Sequence, residues 1–549
     1  MILPRLIRQM RAKNHVNSRV QLTLLRMILV AFPIFFSACA VLPSPPRLTT
    51  TRTISSEQSA DTPFYAAPTP TGEPLPLLAQ EESNTENLPN PILTIWVNET
   101  SEAHRKMLEE MTQVLDADYG LHLEFVLIDG DRLPDIIEDA AEVNRLPDVI
   151  IHPIEYSAGW AARGILDAGL SESIIETLGR ETFEPDSLQI VLVNGQNAAI
   201  PINGHKQILI YRQDWFDTLR LSDPIDYSSI FEGAKAIYRS ETLSAQTGIS
   251  STLLSGLVVP TESDLISTHQ VFEHFANANG CRLIDDKGEV VILSPECVDT
   301  FEFYRELING YSPNDIQTDT SAINAYLSGR TGIIFGSPDM LVEVAGLSSE
   351  HTPVCPECLI DNQFLTVNSS IQTQFSGRAS SRKPIGFGQM TLMGFTPNAQ
   401  PELAEQFASY WFNDGYALWL GVEPARRVPM RLGDAEDPEK FLNLWYQLPI
   451  SADGQTLVTV FGEDVAANLT RGIASTPRWG IDSGQGDIIA TIYKQNMIAI
   501  VLQEMLSGYF TSNQALVAAW ERAIELIPEY QFETEIPEFI FPNDDANDS

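Results

Sequence analysis

The sequence predicts an α/β protein with two lobes, and three observations support this fold class. Residues 92–151 alternate strand and helix signals in the order βαβαβ, which is typical of a parallel sheet covered by helices on both faces. Residues 208–211 are a short apolar run of β-branched and aromatic type, which favours a strand, and polar residues precede it. Much of the chain after this run has the pattern of a second α/β unit. The stretch 200–211 therefore suits a passage between two lobes.

Composition sets broad limits on the function. The chain has 549 residues, of which 44% are hydrophobic and 9% aromatic, so it is long enough for two or more globular domains. Its formal net charge of −39 argues against nucleic acid or an anionic lipid surface as the main partner, since both require a basic footprint.

Residues 1–38 carry six basic and no acidic residues. The apolar run 27–36 matches the core of a signal peptide and is shorter than the roughly 20 residues of a membrane-spanning helix. The following Ser37-Ala38-Cys39 resembles a bacterial lipobox, so we predict a lipoprotein signal peptide over 1–38 and lipidation of Cys39. An uncleaved anchor is the alternative.

Residues 39–90 are rich in Pro, Ser and Thr and predict a disordered tether.

The other four cysteines predict two disulfides in an oxidising compartment. Cys281 and Cys297 flank a hairpin-like stretch, so their pairing closes a short loop. Cys355 and Cys358 form a C-x-x-C, for which a structural disulfide, a redox pair and half of a zinc site are the alternatives. The structural disulfide is favoured, because no second C-x-x-C or histidine pair lies nearby and the segment lacks a βαβ context. No metal is predicted.

The first α/β unit can be followed element by element. Residues 92–97 predict a strand, and Ser101 begins a helix whose apolar face includes Leu108, Met111, Val114 and Leu115 and which ends at Gly120. Alternating residues 121–127 predict the second strand, and 149–151 predict the third. Open parallel sheets bind ligands beyond the carboxyl ends of their strands, which selects Asn98, Glu99 and Tyr156 as candidates. Loop packing is the alternative for Tyr156.

Several segments in order resemble the extracellular solute-binding proteins of ABC importers, in the family that includes maltose-binding protein. They are the "PDV" of residues 146–150, the "G-x-L" turn of 164–166, the crossover 199–216, and the segments 325–338, 397–408, 422–429 and 506–516. The resemblance covers about residues 92–530. It implies a type II periplasmic-binding-protein-like fold with crossed chain paths and a hinge, in which 91–203 and 390–432 form the N-terminal lobe and 204–389 and 433–549 form the C-terminal lobe.

The same resemblance implies a ligand site in the cleft between the lobes. Its predicted contacts, in addition to those at the strand ends, are Asn203, His205, Gln246, Thr247, Ser337, Asp339, Gln389 and Trp479. Core packing is the alternative for Trp479 and the expectation for Trp411, Trp419 and Trp445, which lie in apolar helical patterns.

These features predict a monomeric, lipid-anchored receptor on the extracellular face of the cell membrane or in the periplasm. It would bind a small polar solute, most simply a sugar or oligosaccharide, and deliver it to ABC permease subunits, with no cofactor, catalytic residue or nucleic acid involved. Binding lobes with a sensory or adhesive role are an alternative from sequence. A secreted carbohydrate-active enzyme is disfavoured, since the sequence contains no G-x-S-x-G, H-E-x-x-H or P-loop.

Overall fold

A computed structural model of the chain describes residues 92–379 and 382–527. The predicted signal peptide, the lipidation site Cys39 and the tether lie outside the described residues, as do the last residues assigned to the C-terminal lobe. Within the described ranges, no helix combines the length and apolar character needed to span a membrane.

The strands in chain order are β1 (Ile92–Val97), β2 (His122–Leu127), β3 (Val149–Pro153), β4 (Leu192–Val193), β5 (Gln196–Asn197), β6 (Ile200–Lys206), β7 (Ile208–Arg212), β8 (Ser255–Val258), β9 (Thr331–Gly336), β10 (Ser369–Gln372), β11 (Gly388–Phe395) and β12 (Val428–Pro429).

The helices are α1 (Glu102–Tyr119), α2 (Leu133–Glu142), α3 (Ser157–Ala162), α4 (Ala168–Leu178), α5 (Pro185–Gln189), α6 (Gln213–Leu219), α7 (Tyr227–Ile237), α8 (Glu241–Thr247), α9 (Ile266–Asn279), α10 (Pro295–Tyr311), α11 (Asp319–Leu327), α12 (Met340–Val344), α13 (Phe364–Asn368), α14 (Pro401–Phe412), α15 (Tyr416–Gly421), α16 (Lys440–Trp445), α17 (Leu457–Phe461), α18 (Glu463–Thr470), α19 (Gly486–Lys494), α20 (Met497–Leu506) and α21 (Ser512–Glu525). Short 3₁₀ turns occur at Ile154–Tyr156, Arg180–Thr182, Ser251–Leu253 and Pro424–Arg426.

The larger sheet has six strands in the order β12-β6-β11-β3-β1-β2. Strand β1 pairs in parallel with both β2 and β3, while β11 runs antiparallel to β3 and β6. The predicted βαβαβ unit is therefore confirmed. Its helix α1 begins at Ser101, whose hydroxyl accepts the His104 N–H, and ends at Gly120 in the left-handed conformation, as the sequence predicted.

The smaller sheet has the order β10-β7-β9-β8, in which β8 and β9 are parallel and β7 is antiparallel to both β9 and β10. The run 208–211, predicted as a strand, is β7 and is fully buried in this sheet. The two sheets are the centres of the two lobes, so the predicted two-lobe α/β fold is confirmed.

The chain crosses between the sheets more than once. Strand β6 of the larger sheet ends at Lys206 and β7 of the smaller sheet begins at Ile208, so the first crossing is at Gln207. The chain returns between β10 and β11. After β12, helices α16 and α18 contact β12 and β6, α19 contacts α3, and α20 and α21 pack against α10. The lobe boundaries predicted from the sequence stay a prediction.

Burial assigns the tryptophans and cysteines to the interior. Trp411 and Trp419 are fully buried and Trp445 is 2% exposed, in agreement with their expected core packing. The structure pairs Cys281 with Cys297 and Cys355 with Cys358, at Cα–Cα distances of 4.5 and 4.9 Å. The stretch between Cys281 and Cys297 makes a single bridge, Ile284 to Val290, and no regular hairpin.

Candidate functional site

A cavity of about 490 Å³ lies where residues of both lobes meet. Asn98 follows β1 and Pro153 ends β3, so the larger sheet supplies the carboxyl ends of its parallel strands to the lining. Helices α9 and α11 and the loop after β9 supply the other side. We call the lining residues contributed by the larger-sheet lobe the first wall and those contributed by the smaller-sheet lobe the second wall.

Six of the predicted site residues line this cavity. Asn98, Glu99, His205 and Gln389 belong to the first wall, and Ser337 and Asp339 belong to the second. These six residues come from four separate segments of the chain and meet at one place.

Glu99 is the centre of a charged cluster in the first wall. Its carboxylate accepts two hydrogen bonds from Arg426, at 2.8 and 2.9 Å, and one from Arg427 at 2.5 Å. Arg426 also donates to Glu423 at 2.7 Å, and the Arg427 guanidinium lies 3.8 Å from the ring centre of Trp419. Charge-assisted bonds of this kind hold Glu99 and Arg426 in fixed positions at the cavity surface.

Glu99, His104 and Glu423 could in principle hold a metal ion, since their ligand atoms lie within 4.8 Å of one another. Their hydrogen bonds argue against this use. Both carboxylates already bind guanidinium groups, His104 Nε2 contacts Arg427, and His104 Nδ1 lies 2.5 Å from the Ser101 hydroxyl. Burial and the neighbouring Arg427 lower the pKa of His104 to about 4, so the ring is neutral at pH 7. The cluster is an internal ion-pair network.

His205 and Gln389 face each other on adjacent strands. They are register partners in the antiparallel pair of β6 and β11, so the sheet itself places both at the cavity. Burial, followed by the charges of Arg426 and Arg427, lowers the pKa of His205 to about 3. His205 is therefore a neutral imidazole that offers one hydrogen-bond donor and one acceptor.

Beneath Gln389 lies a buried network that joins the two lobes. Arg478 donates to Glu155 at 2.8 Å, to Glu273 at 3.0 Å and to the Gln389 side-chain oxygen at 2.8 Å. Glu155 comes from the larger-sheet lobe and Glu273 from α9, and both, like Arg478, are 1% exposed. Tyr493 completes the network by donating to Glu273 at 2.7 Å. This network fixes the Gln389 amide, which also donates to Glu155 at 2.9 Å.

Ser337 and Asp339 lie in the loop between β9 and α12. Oδ1 of Asp339 is buried without a hydrogen-bond partner among the described residues. Burial raises the pKa of Asp339, and Arg426 across the cavity opposes this rise. Asp339 therefore has unused hydrogen-bonding capacity at the cavity.

The remaining predicted site residues lie outside the cavity lining. Tyr156 is buried and stacks on Trp160 at 5.2 Å. Asn203 lies beneath the cavity, where it accepts a hydrogen bond from Trp419 at 2.8 Å. Trp479 is 2% exposed and donates to the carbonyl of Cys281 at 2.9 Å.

The predicted pair on α8 also lies elsewhere. Gln246 is exposed and accepts a hydrogen bond from Thr218 at 3.2 Å, while the Thr247 hydroxyl donates to the Leu243 carbonyl of its own helix at 2.8 Å. These contacts occupy both side chains away from the cavity.

The prediction also omitted polar residues that line the cavity. They include Ser267, Gln270, Asp319, Glu343, His351 and Arg426, whereas Gln207, which also lines the cavity, belongs to the stretch 200–211 that the sequence placed between the lobes. Arg426 lies in the "P-A-R" segment that carried part of the family resemblance, so that motif held a signal for it. The others lie on helices and loops with no such pattern.

Comparison with known proteins supports the resemblance. No family model matches the sequence. YcjN of Escherichia coli strain K12, named as an ABC transporter periplasmic-binding protein, is 20% identical over 396 residues, which cover 68% of this chain and 83% of YcjN.

Solved structures with the same fold include a solute-binding protein from Thermotoga lettingae bound to α-D-tagatose. It is 17% identical with a TM-score of 0.59 and covers 79% of this chain and 99% of its own. Maltose-bound MalE3 of T. maritima is 17% identical with a TM-score of 0.58, over 80% and 100% of the two chains. A ribitol complex from Agrobacterium radiobacter has 15% identity and a TM-score of 0.56, over 79% and 98%.

YcjN and the tagatose- and ribitol-bound proteins are named as ABC transporter binding proteins, and the solved structures match this chain over nearly their whole length. The resemblance seen in the sequence, to the extracellular solute-binding proteins of ABC importers, is therefore confirmed, and this chain has their two-lobe fold.

Proposed function

We propose that this protein is a receptor that binds a small polar solute, a sugar, oligosaccharide or polyol, in the cavity between its lobes and delivers it to an ABC permease. The observation that carries the proposal is the cavity itself, which both lobes line with polar side chains at the carboxyl ends of the larger sheet's parallel strands. Relatives with the same fold bind tagatose, maltose and ribitol.

The chemistry of the lining suits hydroxylated ligands. Every buried hydroxyl of a solute requires a partner, and His205, Gln389, Ser337 and Asn98 offer both donors and acceptors. Arg426 and Glu99 add a fixed guanidinium and carboxylate. A solute that contacts both walls binds the closed arrangement of the lobes better than an open one, and only that difference can drive closure.

Retention outside the cell forms the second part of the proposal. Lipidation of Cys39 would attach the protein to the membrane through the 39–90 segment, and a permease beside it would receive the solute. The substitution Cys39→Ser should release the protein into the soluble fraction or block its processing. Unchanged mass and membrane partition of that variant would contradict the anchor and leave solute binding unaffected.

Solute binding is tested by a thermal-shift screen over sugars, oligosaccharides and polyols, followed by calorimetry. A compound at 100 times its dissociation constant should stabilise the protein by about 2.7 kcal/mol. His205→Ala should then weaken binding of that compound roughly 5- to 150-fold, because one buried hydrogen bond is lost. Gln246→Ala serves as a matched control, since Gln246 is exposed and lies outside the cavity. Equal losses in both variants, or turnover of the compound, would contradict the proposal.

Delivery to a permease is tested in the source cell. Deleting the gene should abolish uptake of the compound that stabilises the protein, and the wild-type gene should restore it. Normal uptake in the deletion strain would favour a sensory or adhesive role for the same binding lobes.

A further inference from the structure

The charges that line the cavity are unbalanced. Four carboxyl groups face one guanidinium: Glu99, Asp319, Asp339 and Glu343 against Arg426. His205 adds no positive charge at neutral pH, because burial and the nearby arginines keep its ring neutral. The surplus of acid lies in the second wall, whose described residues supply three of the four carboxyls and no lysine or arginine to the lining.

The single guanidinium is already engaged. Arg426 donates to Glu99 at 2.8 and 2.9 Å and to Glu423 at 2.7 Å, so two carboxylates of its own lobe neutralise it. Arg426 lies close enough to influence Asp339, but the two form no ion pair. The second wall therefore faces no free cation from the first.

Within the second wall, the carboxyls differ in their partners. Glu343 accepts from His351 at 2.8 Å, and Asp319 accepts from the Ser267 hydroxyl at 2.6 Å. Asp339 has no hydrogen-bond partner at its buried Oδ1, and it forms no ion pair with another of the described residues. A buried carboxylate without a partner is costly, so this position favours a ligand group that brings both positive charge and hydrogen-bond donors.

The lining offers little aromatic surface. Phe387 is the one phenylalanine, tyrosine or tryptophan among the described residues that line the cavity. Stacking on aromatic faces is a general way to hold the apolar side of a sugar ring, and here it is restricted to one ring. Polar and charged contacts must therefore supply most of the selectivity.

We infer that the solute carries a positively charged amino group, as in an amino sugar or an amino polyol, and that Asp339 binds this group from the second wall. The inference rests on the proposed function, because it assigns a chemical class to the solute of the same cavity. The ammonium group donates a hydrogen bond to the unpartnered Oδ1 of Asp339, and its positive charge offsets the excess of carboxyl groups in the lining. The hydroxyl groups of the solute bind the first wall.

Binding of an amine to these carboxyls should also depend on pH. Burial raises the pKa of Asp339, and the neighbouring Glu423 and Asp319 act in the same direction while Arg426 acts against them. Glu343, next to it, has a pKa raised by burial and by Asp339 itself, and His351 opposes that rise. A bound ammonium favours the ionised carboxylates, so binding should release protons and strengthen as the pH rises, until these carboxyls are fully ionised.

The test compares matched compounds on the full-length protein by calorimetry: D-glucose with D-glucosamine, D-galactose with D-galactosamine, and D-glucitol with 1-amino-1-deoxy-D-glucitol. The N-acetylated hexosamines serve as uncharged controls of similar or larger size. In at least one pair the amine should bind roughly tenfold or more tightly than its neutral partner, since a charge-assisted hydrogen bond is gained. The N-acetyl derivative should lose this advantage.

Two variants assign the effect to its position. Asp339→Asn should weaken binding of the amine far more than binding of the neutral partner, and so remove most of the advantage of the amine. Glu306→Gln removes an exposed carboxylate of α10 outside the cavity and should preserve the advantage, which controls for the overall negative charge of the protein. Both variants should keep the melting temperature of the empty protein within a few degrees, which reports that they fold.

The possible results separate a failure of the amine inference from a failure of the proposed solute binding. If neutral sugars or polyols bind as tightly as their amines, the amine inference is overturned and solute binding stands. If the advantage of the amine persists in Asp339→Asn, the assignment to Asp339 is overturned. If no member of either series binds, both the inference and the carbohydrate part of the proposed function are contradicted.

Discussion

The two walls of the cavity differ in how completely their charges are paired. In the first wall, Glu99 and Arg426 bind each other, Glu99 also binds the buried Arg427, and Arg426 also binds Glu423. In the second wall, Asp339 lacks a partner at its buried oxygen, and the side chain of Asp319 is bound by a neutral hydroxyl. The charges of the first wall are therefore paired before a solute arrives, whereas the second wall keeps hydrogen-bonding capacity for one.

The Arg478 network joins the two lobes beneath this cavity. It connects Glu155 of one lobe with Glu273 of the other through a guanidinium that is 1% exposed. A buried ion pair adds little net stability compared with apolar packing, but removal of one partner is severe because the other charges stay buried. Substitutions in this network, in the disulfides and in each wall test the comparison by their effects on stability.

The largest effect is expected for Arg478→Met. The variant leaves Glu155 and Glu273 buried without their guanidinium, so the free energy of unfolding should fall by about 3–5 kcal/mol. Denaturant unfolding measures this change. Arg282→Met is the matched control, because Arg282 pairs with Asp286 at the exposed surface, and its loss should cost about 1 kcal/mol or less. Similar losses in the two variants would contradict a structural role for the network.

The next largest losses of stability are expected when the two disulfides of the smaller-sheet lobe are removed. The double variant Cys281→Ser, Cys297→Ser opens a bridge that spans a sequence separation of 16 and should lose about 3 kcal/mol. Cys355→Ser, Cys358→Ser opens a bridge with a separation of 3 and should lose less, about 2 kcal/mol. Peptide mapping without reductant checks the pairing in exported protein. Four free thiols there would overturn both bridges.

A smaller loss is expected when the first wall is broken. Glu99→Gln leaves the buried Arg427 without its carboxylate, so the free energy of unfolding should fall by about 1–3 kcal/mol. Thermal and denaturant unfolding of the empty protein measure this change. No loss of stability would show that the first wall is not held by its ion pairs.

The smallest effect on stability is expected for a substitution in the second wall, and it is a gain where the other variants show a loss. Since burial raises the pKa of Asp339 above its unfolded value, its folded-state stabilisation is present at low pH and is lost as the pH rises through the folded pKa. Asp339→Asn removes the ionisable carboxyl, and with it this loss of stability at high pH. The variant should melt about 1–2 °C above the wild type near pH 8 and show no such gain near pH 4. A lower melting temperature near pH 8 would mean that Asp339 already has a stabilising partner.

Much of the fold could be predicted because its signals are local. Alternating residues and the caps at Ser101 and Gly120 defined β1, α1 and β2 within short windows of sequence. The order of motifs then gave the two-lobe class. The strand-end rule and the crossover placed Asn98, Glu99 and His205 at the cavity, since a sheet fixes where its strands end and which residues are register partners.

The rest of the site depends on contacts that no local pattern records. Arg478 meets Glu155 across 323 positions, and Arg426 meets Glu99 across 327. Whether Trp479 faces the cavity or the core depends on its hydrogen bond to Cys281, 198 positions away. Gln246 lies on a helix whose direction the sequence does not specify. Gln246 and Trp479 were therefore placed less well than Asn98, Glu99 and His205, whose positions the larger sheet fixes.

The most direct test of the account is a crystal structure of the protein with the compound that raises its melting temperature most in the thermal-shift screen. We predict that this compound occupies the cavity between the two walls, with polar groups within hydrogen-bond distance of His205 and Gln389 on one side and of Asp339 on the other. A compound bound elsewhere on the protein, with the cavity residues untouched, would contradict it.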